Sequence, residues 1–170
     1  MLWPFKMLTE CATADPLPLK MQPTDKKISI NEFQKGNFAA HGHIDFSVEG
    51  NVIVSVVSGP FNLEAIQALA KARRAVAEQW TYAGRRGAIA VFNNSILMSP
   101  EALTAYEDGL RSHFSKPSLT VALAWVVGTE VEGRELMLKH FERIFAGVSI
   151  EWKAFEDLES ARTWIQEKVS

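Results

Sequence analysis

The chain is 170 residues long, a length that favours one domain. It is 47% hydrophobic and 22% charged, which excludes a disordered, collagen-like or coiled-coil chain. Eighteen Lys and Arg stand against 20 Asp and Glu, a net charge of -2. That balance speaks against a dedicated nucleic-acid binder, which needs a basic excess to neutralise phosphates.

Residues 1–27 hold Pro4, Pro16, Pro18 and Pro23, four of the seven prolines, without helical or alternating apolar pattern. Proline fixes φ and removes a donor, so this stretch is read as an irregular N-terminal extension to a single domain over 28–170. Ala12-Thr13-Ala14 mimics a signal-peptidase site, but Pro4 and Lys6 interrupt the apolar run that a secretory leader requires. Cys11 is the only cysteine, so one chain forms no internal disulfide and no cysteine-based zinc site. A lone thiol fits a reducing, cytoplasmic setting. The longest apolar stretch, 119–127, is half of the ~20 residues that a membrane-spanning helix takes.

Regular patterning begins near Ile28. In the segment 38–49, Ile44, Phe46 and Val48 alternate with His43, Asp45 and Ser47, the period of a half-buried strand. Gly50-Asn51 makes a two-residue turn into the β-branched run 52–57, so these two strands form an antiparallel hairpin. Ser58-Gly59-Pro60 stops the second strand and Asn62 caps a helix through Tyr82, with Leu63, Ile66, Leu69, Val76 and Trp80 as its apolar stripe. Ala88 to Phe92 is a short buried strand. Ser99-Pro100-Glu101 is a strong helix start, combining cap, first-position proline and first-turn acid. Two further strand–helix cycles follow, with strands at 119–127 and 150–155, and helices over 132–145 and after Asp157. Crossovers of this length return the chain parallel. The expected fold is α/β: a mostly parallel five-stranded sheet with an antiparallel first strand (β-β-α-β-α-β-α-β-α) and helices packed on it.

Several of these segments resemble STAS-like domains, in particular the SpoIIAA-like branch. They are Gly50 to Val54 leading to Ser58-Gly59-Pro60-Phe61-Asn62, the Ser99-Pro100-Glu101-Ala102 helix start, the strand and loop from Ala122 to Gly128, and Phe155 to Ile165 with its Asp157 cap and Trp164. The resemblance spans about residues 40–168. It implies a regulatory or ligand-binding module, some relatives of which are suspected of holding apolar ligands, and no known chemistry. Anti-sigma-factor antagonists of this superfamily carry a phosphorylated serine where Pro100 stands here, so that switch does not carry over.

The chemistry-bearing residues are few. His41 and His43 are two apart, which on a strand places both on one face beside Asp45, but three or four converging ligands are needed for a metal. His140 lies on the apolar side of its helix, with no Ser or Cys in an activating motif. Glycine-rich phosphate loops are absent from the sequence. Arg73-Arg74 and Arg85-Arg86 read as solvated charge. The site argument is topological: in open α/β sheets ligands gather beyond the carboxyl ends of parallel strands. Those ends are Ser58 and Asn62, Asn93, Asn94 and Ser95, and Gly128 with Thr129. Five Trp and ten Phe exceed what one thin sheet needs, a surplus that lines an apolar pocket or forms an interface. The expectation is a non-enzymatic module, without metal or cofactor, that binds a protein partner or a copy of itself. Its rivals are a carrier of a small apolar ligand and, behind that, a hydrolase using His41 and His43 or His140.

Overall fold

The computed structural model describes residues 24–34 and 38–170. Most of the proline-rich lead, with Cys11, lies outside them. A single six-stranded sheet runs through the domain in the order β1 (Thr24–Ser29), β2 (His43–Glu49), β3 (Val52–Ser58), β4 (Arg86–Asn93), β5 (Thr120–Val127), β6 (Glu151–Phe155). The pairs β1–β2 and β2–β3 are antiparallel, and from β3 onward every pair is parallel. Four helices alternate with them: α1 (Leu63–Gln79), α2 (Pro100–Phe114), α3 (Arg134–Ala146) and α4 (Leu158–Val169). None of the described helices is long and apolar enough to cross a membrane.

The sheet therefore has six strands where the sequence reading gives five. The added strand is β1, which takes in residues 24–27 of the supposed extension. An edge strand has one neighbour and needs little buried surface: Ile28 pairs with Phe46, and Ile28 and Ile30 are the residues buried at this end. A short, charged segment of this kind leaves almost no alternation to read. At its end Ser29 closes a capping box with Glu32 around a one-turn 3-10 helix, Ile30–Phe33.

Each parallel crossover places its strand beside the one before, so three successive right-handed connections put α1, α2 and α3 on the same face. The β5 sequence fits this division. Leu123, Trp125 and Val127 point into the three-helix layer, while the smaller Ala122 and Ala124, with Val126, face α4. Gly87 on β4 continues that small surface, since a Cβ there would stand 2.5 Å from Ile165 Cγ2. Trp125 is 2% exposed and centres an aromatic cluster, with ring centroids 4.5 Å from Phe141, 4.8 Å from Phe92 and 5.7 Å from Trp152. Much of the aromatic surplus is spent here, in the core.

The anticipated caps are in place: Asn62, Ser99 and Asp157 each accept a backbone N–H from the first turn of α1, α2 and α4. Helix α1 ends at Gln79, three residues short of the expected Tyr82, because Trp80 leaves it to donate its indole N–H to Gly50 O at 2.9 Å. The hairpin turn is the expected one, with Glu49 opposite Val52 and Gly50 at φ 64.

Candidate functional site

At the carboxyl ends of the parallel strands the three loops are knitted together by their own backbone. Gly59 N–H donates to Ser95 O at 3.0 Å and Phe61 N–H to Leu97 O at 2.9 Å. Ile96 N–H donates to Glu132 O and Glu132 N–H to Asn94 O, at 3.0 and 2.8 Å. Ser58 and Asn93 stand side by side as register partners, and Ser95 is 2% exposed with its Oγ accepting from Leu97 N–H. Asn93, Asn94 and Thr129 are exposed, and Gly128 is half-buried against the Glu130 carboxylate. Strand order 1-2-3-4-5-6 never reverses, so no switch-point crevice opens between diverging helices, which is the geometry behind the topological rule.

Asn62 makes three side-chain hydrogen bonds. Its Oδ1 accepts from Ala65 N–H (3.1 Å) and His41 N–H (2.8 Å), and its Nδ2 donates to Ala39 O (3.0 Å). The residue both caps α1 and fastens the segment leading into β2. That segment is not strand: Gly42, at φ 92, breaks the extended chain, and β2 begins at His43. The alternation that would set His41 and His43 on one face therefore does not apply.

His43 does meet a carboxylate. Its Nε2 lies 2.9 Å from Asp45 Oδ1, and its Nδ1 is 3.2 Å from Asn31 Nδ2. Gln34 donates to Asn31 Oδ1 at 2.8 Å, which orients the amide so that its NH2 faces the ring. Ser58 is the cross-strand partner of His43, yet both imidazole nitrogens are already taken. Among the described residues no three His, Cys, Asp or Glu side chains gather as a metal would need. His140 is half-buried on α3, its ring 6.4 Å from that of Phe141.

An apolar cavity lies elsewhere, between the three-helix face of the sheet and the pair α1–α2. Its space is about 380 Å³ when the open mouth is included, of which about 30 Å³ is clear of all neighbours by the radius of a water. The walls are apolar: Phe46 and Val57 from the hairpin, Phe92 and Trp125 from the central strands, Ile66 and Leu69 from α1. Three polar side chains interrupt them. Ser55, 9% exposed, donates its hydroxyl to Ile89 O at 3.1 Å. Tyr106 on α2 and Arg73 on α1 also line the cavity, with the guanidinium carbon 5.5 Å from the Tyr106 ring centroid. Neither Arg73 nor the Tyr106 hydroxyl has a hydrogen-bond or carboxylate partner among the described residues, whereas the adjacent Arg74 is paired with Glu78 at 3.1 Å. Further along α2, partial desolvation of the His113 ring, and then the Arg73 charge, hold its pKa below the ordinary imidazole value.

The sequence reading missed this cavity; it took Arg73 for solvated charge, and Arg73 is indeed exposed, but it also lines the cavity. A signal was present: Arg73 follows Ile66 by seven and Leu69 by four, and precedes Val76 by three, so it sits on the apolar stripe of α1. Arg86, also read as solvated, lies over Trp80 with its guanidinium carbon 4.5 Å from the ring centroid and donates to the Trp80 and Tyr82 carbonyls.

No protein-family model matches the chain, and no curated protein or solved structure is significantly similar to it.

Proposed function

We propose that this chain is a STAS-like module that acts by binding rather than turnover, and that its ligand is a small apolar molecule with an anionic end. The observation that carries this is the cavity between α1–α2 and the sheet: apolar walls, with the exposed Arg73 cation and the Tyr106 hydroxyl, neither with a partner among the described residues, in its lining. A buried apolar body gains from leaving water, and a carboxylate or phosphate at the mouth meets two donors that have no partner among the described residues. Free space of about 30 Å³ holds roughly two waters, so an alkyl chain enters as α1 and α2 separate. The sheet with its antiparallel lead, and the Asn62, Ser99 and Asp157 helix starts, support the STAS-like assignment. The lone Cys11 supports a cytoplasmic setting. The absence of a free imidazole beside Ser58 favours binding over a serine hydrolase.

A second reading, a protein-binding module, is favoured by the sheet face that α4 leaves open, where Val56 on β3 is 45% exposed. The strand-end residues Ser58 and Asn93, two residues beyond the Val56–Val91 pair, border it.

Calorimetric titration of the full chain with decanoate, decanol and decyltrimethylammonium tests the leading reading. Decanoate is expected to bind saturably, decanol at least about tenfold more weakly and the cation not at all, since a charge-assisted hydrogen bond is worth ~1.5–3 kcal/mol. Arg73→Met is expected to bring decanoate down to the decanol level. Equal binding of all three, or none, overturns the proposal.

A further inference from the structure

The two edges of the sheet are not alike. At β1 the pairing register slips between Thr24 and Ile28, and a 3-10 turn follows at once, so that edge is irregular. At β6 the register with β5 is unbroken across all five residues, from Ala122 opposite Glu151 to Val126 opposite Phe155. No bulge or proline interrupts it, and its outer edge is unpaired among the described residues. Such an edge is a template for another strand.

Charge selects the occupant. Glu151, Lys153 and Phe155 alternate on the α4 side of β6, and Trp152 and Ala154 point the other way. Glu151 meets Lys168 through Oε2 at 2.5 Å, with no partner for Oε1 among the described residues, and Lys153 has no carboxylate among them and rests 5.1 Å from the Phe155 ring centroid. We infer that β6 pairs antiparallel with β6 of a second copy, the two-fold axis passing through Trp152. In that register Glu151 of each copy stands directly opposite Lys153 of the other, giving two reciprocal ion pairs on one face. Shifting the axis to Lys153 sets lysine against lysine, and shifting it to Ala154 carries Glu151 past the end of the partner strand. Trp152, whose indole nitrogen is buried without a partner among the described residues, comes to lie on the axis. The result is a continuous twelve-stranded sheet. This inference is independent of the ligand reading, because the cavity lies on the other strands.

A five-residue edge buries little area, so the dimer is a transient one, with a Kd on the order of 10 µM. Sedimentation velocity of the full chain over a concentration series is expected to show it. Glu151→Lys alone and Lys153→Glu alone each place like charges opposite one another, and each is expected to weaken self-association at least about tenfold. An equimolar mixture of the two variants is expected to form a heterodimer of wild-type strength, a recovery that misfolded variants would not give. Hydrogen exchange at β6 amides is expected to slow as wild-type concentration rises. A chain that stays monomeric through the series overturns the inference, and so does a dimer indifferent to both variants or a mixture that fails to associate. Protection of β6 that does not depend on concentration also overturns it, and points instead to the chain's own residues 1–23 on that edge.

Discussion

Arg73 of α1 reaches across to Tyr106 of α2, its guanidinium carbon 5.5 Å from the ring centroid, so a cation sits on the seam between the two helices that roof the cavity. His113, on the same helix as Tyr106 and seven residues further on, feels that cation.

The consequence is a pH dependence of stability with a defined sign. Because the folded pKa of His113 is depressed, the unfolded chain takes up the proton first as pH falls below about 6.5. Stability present above that value is lost as pH falls through it toward the folded pKa. His113→Gln is expected to remove this part of the slope, read as a smaller fall in Tm between pH 7.5 and 5.5 than the wild type shows. An anion bound at Arg73 is expected to move the His113 pKa back up in an NMR titration.

Trp125→Ala is expected to cost about 3–5 kcal/mol in a denaturant melt, the usual loss for a buried large aromatic. Trp125 touches rings from β4, α2, α3 and β6, so four elements lose packing at once. Trp164 is the contrast. Its place in the α4 pattern suggests a core residue, but it is only partly buried, against Phe155 and beneath Lys168, and Ile165 fills the interior instead. Trp164→Ala is expected to cost less than Trp125→Ala.

Removing the Asn62 side chain releases three hydrogen bonds, two accepted and one donated. Asn62→Ala is expected to destabilise by about 1–2 kcal/mol, the range for a lost helix cap. Asn62→Asp keeps the acceptor and loses the bond to Ala39 O, so its cost is expected to fall between wild type and alanine in the same melt.

Gly109 sits inside α2 with open space where a Cβ would stand. Gly109→Ala is expected to stabilise the domain by about 0.5–1 kcal/mol, since glycine costs a helix backbone entropy and nothing here needs its freedom. A loss of stability would place an unseen neighbour on that side of the helix.

Local signals were the readable ones. Asp157, Ser99-Pro100 and Asn62 announce helix starts because a cap is chemistry within four residues, and the alternation of Ile44 and Phe46 announces β2 because its two faces differ. Strand β1 escaped because an edge needs only Ile28 inside. The break at Gly42 escaped because its cause, the Phe61 ring packed against the glycine, comes from a residue nineteen positions away. The cavity escaped for the same reason on a larger scale, since Phe46, Leu69, Phe92, Tyr106 and Trp125 meet only after five elements have assembled.

The unreversed strand order has a consequence for how the molecule is made. From the hairpin to β6, each strand docks on the one that left the ribosome just before it, so the sheet is able to grow vectorially with short loop closures. Helix α4 is the exception: it lies on β4 and β5, and its Arg162 clasps Glu49, 113 residues earlier in the chain, at 2.6 Å. That clasp can close only once α4 itself has been made, which makes this helix the seal on a sheet otherwise built in the order it is read.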